Sequence, residues 1–572
     1  MLNIDQEVVA GLAGQLIEVG LAEATDYGHL RLDPALSPYL RREMSETEQE
    51  EAESLWAEGM KMLGYFLFQE RSKDTELAAR LTLLELPNLM AMLSWAEDKA
   101  TPEEIINLEY VVETLLSMLG RPEAVAQAIR VRKKAAARLG EWGHARCLTE
   151  GANIDRLLEG GDLQAAHTAA QQLLQRCLAM GEEAYPFAAY DIAMAHARLG
   201  RVLQMGGAAE AALPLLDEAR RRFQVLADAG STDAKRMVSA TITERGDCLT
   251  ALGRWDEAAA AYQQSIRQDE QRVDSRSVAV NKGQLGYVRL LQGRYAEALE
   301  TYNEVRAIFE SLGEPGSVAT VWHQIGMVHS RARQFEQAER AYRQSLAIKV
   351  QQKNLSGEAS TLSELSYLSV VMGRLEEAVK CLRQAADIYV KLKNQRHEGS
   401  IRSNLAITLF KLQHYDEARR EIRRAIECNE PYGHAAEPWK AWGILYDLEQ
   451  ATNNPQAAAQ ARQQAIKSYL AYRHAGGQSM TRNARLCALV VQAIQVGDMT
   501  QIEPFLAQTL EEADTSKGNA IIPKLQAIVR GERNPALADD PNLYYQDAVE
   551  LQLLLEVLGE SDPTAIRPFD VD

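Results

Sequence analysis

The 572-residue chain has no apolar run approaching the 18 or more residues that a membrane span needs. Its N-terminus, Met1-Leu2-Asn3-Ile4-Asp5, has neither a basic segment nor the apolar core of a secretion signal. The six cysteines, at positions 147, 177, 248, 381, 428 and 487, include no close pair. That spacing excludes a disulfide framework and a zinc-ligand pattern, and it predicts a reduced cytoplasmic protein. Positive charge is also short: 62 Lys and Arg against 80 Asp and Glu leave a net charge of −18 and a pI near 5.2. A general nucleic-acid binder, or a protein that adheres to anionic membranes, needs the opposite balance.

Catalytic signatures are missing as well. No Gly-x-x-x-x-Gly-Lys-Ser/Thr string exists, so no phosphate-cradling loop of that kind and no ATPase module built on it is expected. The ten histidines include no His-Glu-x-x-His, and His323 with His329 is not a ligand spacing for one helix face. There is no Gly-x-Ser-x-Gly elbow, no protease-like His/Cys arrangement and no DNA-reading helix–turn–helix. Cys248, Cys381 and Cys428 fall in helical repeats, where a free cysteine is a small core hydrophobe. The acidic run Glu46-Thr47-Glu48-Gln49-Glu50-Glu51 favours a helix N-terminus. The sequon Asn354-Leu355-Ser356 reads as an inter-repeat loop. Neither an enzyme, nor a metal, nor a cofactor is expected.

What remains is helix. Only 17 prolines interrupt long stretches rich in Ala, Leu, Glu, Gln and Arg. A fixed period organises them. Gly253-Arg254-Trp255-Asp256-Glu257-Ala258 returns forty residues on as Gly293-Arg294-Tyr295-Ala296-Glu297-Ala298, and then as Arg333-Gln334-Phe335-Glu336-Gln337-Ala338. Gly373-Arg374-Leu375-Glu376-Glu377-Ala378 and Gln413-His414-Tyr415-Asp416-Glu417-Ala418 follow, with a decayed copy at Asn453–Ala458. Twelve residues before each alanine stand Gly246, Gly286, Gly326, Ser366, Ala406 and Tyr446. Four residues after it stand Tyr262, Tyr302, Tyr342, Leu382, Ile422 and Arg462, and seven after it Ser265, Val305, Ser345, Ala385, Ala425 and Ala465. Small residues let two helices approach, and the aromatic or aliphatic column fills the space beside them. The glycine before the aromatic suits a left-handed helix C-terminus, and the Asp or Glu after it suits the next first turn. The unit is helix–turn–helix.

Gly/Ala, then Ala, then Tyr, then a small residue resembles the tetratricopeptide repeat, with about six residues more than its usual 34. The resemblance is carried by residues 235–474 and implies an all-α superhelical solenoid. Two weaker units precede it, at Gly206-Gly207-Ala208-Ala209-Glu210-Ala211 and Gly161-Asp162-Leu163-Gln164-Ala165-Ala166, giving about eight hairpins over 146–475. Ala475-Gly476-Gly477 breaks the pattern. Helical segments near 480–496, 500–513, 518–530 and 542–559 are expected to cap the array within 476–572, with a loose tail from Glu560.

The N-terminal region differs. Val8, Val9, Leu12, Leu16 and Ile17 recur at helical spacing. Gly20–Ala24 and His29–Leu32 flank the turn Thr25-Asp26-Tyr27-Gly28, a short β-hairpin signal. Residues 1–45 thus resemble the end of a winged helix, and 46–145 read as a helical bridge. With Leu84-Glu85-Leu86-Pro87-Asn88-Leu89 leading into Met92-Leu93-Ser94-Trp95-Ala96, the layout resembles the junction in STAND regulators, where an NB-ARC-type ATPase and winged helix precede a repeat sensor arm. That resemblance implies a sensor role in signalling.

The first helix of each hairpin is expected to line a groove that holds a partner. Two residues before the small column stand Glu244, Gln284, Gln324, Glu364 and Asn404; one after it, Asp247, Tyr287, Met327, Tyr367 and Ile407. One turn further come Leu290, Ser330, Val370 and Phe410, and three before the small column come Thr243, Gly283, His323, Ser363 and Ser403. This reads as a ladder of amides and carboxylates beside an apolar stripe, fit for the backbone and side chains of a peptide or protein partner. The competing expectation is a small molecule, a sugar or metabolite, near Tyr287, Trp322, Glu364, Tyr367 and Asn404. The bland alternative is that these side chains only pack neighbouring helices. Neither nucleic acid nor membrane is expected as a partner.

Overall fold

A computed structural model describes residues 6–24, 29–71, 75–119, 122–479, 481–511 and 520–559. The fold is all-α apart from one two-stranded ribbon among the described residues. It divides into two compact units, residues 1–324 and 325–572. No helix among the described residues is long and apolar enough to cross a membrane.

The first unit opens with α1 (Gln6–Glu18), the antiparallel strands β1 (Ala22–Ala24) and β2 (Leu30–Leu32), and α2 (Leu36–Glu43). Ala22 lies opposite Leu32 and Ala24 opposite Leu30. The turn expected at Thr25–Gly28 lies outside the described residues, as does the tail from Glu560. Four longer helices follow: α3 (Glu46–Glu70), α4 (Thr75–Lys99), α5 (Pro102–Met118) and α6 (Pro122–Arg138). The acidic run at 46–51 does begin a helix. Ser45 Oγ accepts from the Glu48 amide while the Glu48 carboxylate accepts from the Ser45 amide, a reciprocal cap that satisfies two otherwise orphaned donors. Pro87 sits inside α4, so the string from Leu84 to Ala96 is one continuous helix. Met60, Leu89, Met92, Ile106, Val112, Leu116 and Val131 share one buried cluster between these helices.

Helical hairpins then take over: α7 (His144–Glu159), α8 (Leu163–Met180), α9 (Ala188–Met205), α10 (Ala209–Asp228), α11 (Thr232–Ala251), α12 (Trp255–Gln271), α13 (Ser275–Leu291), α14 (Tyr295–Ser311) and α15 (Pro315–Arg331). The second unit continues with α16 (Phe335–Gln351), α17 (Leu355–Val371), α18 (Leu375–Lys391), α19 (Gln395–Lys411), α20 (Tyr415–Asn429), α21 (Pro438–Ala451) and α22 (Pro455–His474). The segments expected to be helical after residue 480 are α23 (Arg482–Val496), α24 (Ile502–Glu511), α25 (Ile521–Val529) and α26 (Tyr545–Gly559). They enclose their own apolar cluster, which includes Cys487, Val490, Leu506, Ile522, Leu525, Leu551 and Leu554.

The forty-residue period resolves into two equal halves. From α12 to α19 every helix has 17 residues, and each begins twenty residues after the last. A backbone with positive φ sits in each connection: Gly253, Val273, Gly293, Gly313, Arg333, Lys353, Gly373, Lys393 and Gln413. Only some of these are glycine, which is why the second column, beginning at Val273, was invisible in the sequence. Asn354 follows one such residue and caps α17, its side chain accepting from the Gly357 amide at 2.9 Å. A β-branched residue in this conformation is strained, and Val273, 84% exposed, has no packing to offset it. Val273→Gly is therefore expected to stabilise the first unit by about 1 kcal/mol, measurable as a higher midpoint in urea denaturation.

The small column earns its place through close approach. A Cβ on Gly246 would lie 2.8 Å from the Tyr262 ring, one on Gly286 3.1 Å from Tyr302, and one on Gly326 2.6 Å from Tyr342. All three tyrosines are buried. Where the aromatic shrinks to Leu382 and Ile422, the small partner grows to Ser366 and Ala406. Volume is conserved within each hairpin, as close packing demands.

Candidate functional site

The sequence-predicted lining residues meet different fates. In the first unit, Glu244 is half-buried and accepts from Arg201 Nε at 2.8 Å. Asp247 accepts from Tyr262 Oη at 2.6 Å, and burial pushes its carboxyl up to about 6. Gln284, Tyr287, His323 and Gln324 are half-buried, and Trp322 lies under the Arg306 guanidinium at 4.4 Å. Leu290 is buried at 6% exposure and lines nothing. It stands four residues after Gly286 and so follows it onto the packed helix face.

In the second unit, Met327 packs against the cluster of Tyr342, Leu365 and Leu368, and Phe410 against the larger cluster that contains Leu405 and Leu409. Neither forms part of a free apolar stripe. Glu364 accepts from Tyr342 Oη at 3.4 Å, and burial raises its carboxyl above the usual range. Ser403 donates to the Gly399 carbonyl at 2.9 Å; Ser363, Val370 and Ile407 are half-buried. Two residues stand open: Tyr367, 57% exposed, and Asn404. The polar ladder is thus partly consumed by neighbouring helices: Asp247 finds its partner within its own hairpin, Glu244 and Glu364 in the preceding ones.

A cavity of about 780 Å³ lies in the first unit. Its wall draws mainly on alternate helices, α5, α7, α9, α11 and α13, with the end of α3, Leu173 of α8 and the last turn of α12. Of the predicted residues it includes only Glu244, with Thr243 beside it. Aromatic side chains open onto it: Tyr65 (45% exposed), Tyr110 (41%) and Phe187 (66%), with Phe68 and Tyr190. Phe187 itself has positive φ and precedes α9, packing its ring 5.0 Å from that of His144. The floor is a buried polar network. Ser239 Oγ donates to Asp269 Oδ1 (2.7 Å), Asn281 Nδ2 to Asp269 Oδ2 (2.8 Å), and Thr243 Oγ1 to Asn281 Oδ1 (2.7 Å). Such a network ties α11, α12 and α13 in one arrangement. Cys147 on the wall has its Sγ 3.6 Å from that of Cys177 and 3.2 Å from Tyr185 Oη.

Five arginines border this space: Arg71, Arg198, Arg236, Arg272 and Arg276. Sequence reasoning missed them because they come from separate helices. One signal was present. Arg236 and Arg276 occupy the same register, ten residues before Gly246 and Gly286.

Residues 237–311, 276–349 and 357–430 match the family model for the tetratricopeptide repeat. These hairpins are tetratricopeptide repeats. No curated protein matches the sequence. Solved structures similar to the chain include the apo form of RapI, 13% identical, over 67% of this chain and 97% of that one with a TM-score of 0.43. The apo form of the quorum sensor NprR from B. thuringiensis is also 13% identical, over 64% and 97%, with a TM-score of 0.41. A STAND protein with a tetratricopeptide repeat sensor from Pyrococcus horikoshii is 13% identical, over 62% of this chain and 54% of that one, with a TM-score of 0.41.

The cavity draws on α11, α12 and α13 within the matched residues and on helices that precede them. The family pattern governs how hairpins pack, through Gly246, Ala258 and Tyr262. It leaves the wall residues between those columns free to vary.

Proposed function

We propose that the protein is a non-catalytic interaction scaffold, the sensor part of a STAND-type signalling regulator in the cytoplasm, which holds a peptide or protein segment against the first helices of its hairpins. The array at 146–475 is the binding body in this proposal, with 1–45 as a winged-helix remnant, 46–145 as a bridge and 476–572 as a cap. The carrying observation is Tyr367: a tyrosine 57% exposed on α17, where Leu365, Ser366, Leu368 and Ser369 around it are all buried. An amphipathic ring held open on a rigid helix is a contact surface with little entropy to lose on binding. Exposed Asn404 on α19 adds an amide that can pair with a peptide backbone.

The Tyr367→Ala/Asn404→Ala variant tests this. Exposed side chains contribute within about 0.5 kcal/mol to stability, so its melting temperature is expected to match the parent chain. Capture of partners from native lysate, quantified by mass spectrometry, is expected to lose specific proteins that the parent retains. A large fall in melting temperature would show instead that both side chains hold the fold.

A small-molecule ligand is the second reading, and one observation favours it: 780 Å³ is within the range of sites for small organic ligands. None of the residues first considered for such a ligand, Tyr287, Trp322, Glu364, Tyr367 and Asn404, borders that cavity.

A further inference from the structure

Cys147 and Cys177 stand 30 residues apart in sequence, yet their sulfurs meet at 3.6 Å. Cys147 lies in the first turn of α7 and Cys177 in the last turn of α8. The hairpin folds these two ends together, and both side chains are buried in the cluster that holds Ile154, Ala170, Leu173 and Ile192. The other cysteines come from four separate helices: Cys248 from α11, Cys381 from α18, Cys428 from α20 and Cys487 from α23.

A separation of 3.6 Å is the contact distance of two sulfur atoms, so nothing stands between them. A disulfide closes at about 2.05 Å, and small side-chain and helix adjustments cover the remaining approach of roughly 1.5 Å. Cys147 also borders the 780 Å³ cavity. Tyr185, whose hydroxyl lies 3.2 Å from the Cys147 sulfur, borders a second cavity of about 300 Å³. An oxidant little larger than water therefore has a route to this sulfur. A hydrogen bond from Cys147 lowers the Cys177 thiol; burial and Asp191 oppose the lowering and Arg198 assists it. The thiolate is the reactive form, and sharing one proton lets it stand at either sulfur. A cysteine that is only a small core hydrophobe needs neither a second sulfur in contact nor a cavity beside it.

We propose that Cys147 and Cys177 form a redox modification site, a dithiol that hydrogen peroxide converts into an intramolecular disulfide. One sulfur, as thiolate, attacks a peroxide oxygen: an S–O bond forms, the O–O bond breaks, and the departing hydroxide takes up a proton and leaves as water. The second sulfur gives up its proton and attacks the sulfenic acid. An S–S bond forms, the S–O bond breaks and a second water leaves. Two thiols and one peroxide become one disulfide and two waters, with two electrons passing from sulfur to oxygen. Small thiols reverse the bond by exchange, so it is a transient state of an otherwise reduced protein. While it lasts it staples α7 to α8, and both helices contribute to the cavity wall.

The test treats the full chain with hydrogen peroxide, alkylates free thiols with iodoacetamide in denaturant, and maps the tryptic peptides by mass spectrometry. Cys147–Arg156 is expected to emerge joined to Cys177–Arg198, at least tenfold above any other cysteine pairing. Dithiothreitol before alkylation should return both peptides to the alkylated form. The melting temperature should rise by about 5 °C on oxidation, since the bond closes a 30-residue loop. Cys147→Ala and Cys177→Ala should each abolish that rise. The linkage is read in the parent chain, so poor folding of either variant leaves it decisive. Both thiols fully alkylated after peroxide would overturn the proposal and leave the pair as packing. Cys147 carried to sulfinic or sulfonic acid while Cys177 stays free would also overturn it, because the two sulfurs then do not meet. Linkage of either cysteine to a second copy of the chain, without the internal bond, would overturn it as well.

Discussion

Arg473→Leu is expected to destabilise the 325–572 unit by about 3–5 kcal/mol, the usual consequence of stranding one member of a buried ion pair. Arg473 and Glu550 are 3% and 0% exposed, and their charged ends meet at 3.1 Å between α22 and α26. Tyr469 Oη donates to the other carboxylate oxygen at 2.8 Å, and Arg473 Nη1 donates to the Gly477 carbonyl at 2.7 Å. Removing the guanidinium leaves the buried Glu550 carboxylate with only the hydroxyls of Tyr469 and Ser479 for support. Burial already raises the Glu550 carboxyl above its ordinary range, with Arg473 opposing that shift. Without Arg473 the shift grows. A carboxyl whose folded pKa lies above its unfolded one weakens the fold as pH rises through that interval, so the penalty should be small in acid and grow as pH rises. Urea titrations of the variant across pH measure this. Arg473→Leu/Glu550→Leu is expected to recover most of the loss, since replacing both charges by apolar groups removes the desolvation cost with the attraction.

The second large effect concerns the Gly326–Tyr342 contact. Tyr342→Ala is expected to cost about 3–5 kcal/mol, as for other buried aromatic truncations. Gly326→Ala is more informative. Its new Cβ would meet the Tyr342 ring at 2.6 Å, so overpacking of about 1–3 kcal/mol is expected in the parent chain. In a Tyr342→Leu background the same substitution should cost almost nothing, because the pair then resembles Ala406 with Ile422, and Ser366 with Leu382. A double-mutant cycle by thermal or urea denaturation gives the coupling directly. Additive penalties would mean that the two positions do not share one packing volume.

The repeat architecture was legible because its packing depends on a few columns with fixed volume, and Gly246, Ala258 and Tyr262 announce it at each return. The ligand wall was harder. Leu290, Met327 and Phe410 look like a surface stripe in sequence, yet each is partly or wholly absorbed by a neighbouring hairpin. Glu244 and Glu364 look available, yet Arg201 and Tyr342 engage them. Pairing across helices is a three-dimensional fact that column statistics within one helix do not carry. Arg71 had no repeat column at all, and only the bridge helices bring it beside Arg236.

Equal half-repeats also bear on how the chain reaches its fold. Each 17-residue helix finds its partner after a connection of three residues, so nearly every stabilising contact in the array joins segments close in sequence. Contact order is therefore low, loop-closure entropy is small, and ordering can nucleate at whichever hairpin forms first and spread along the chain to its neighbours.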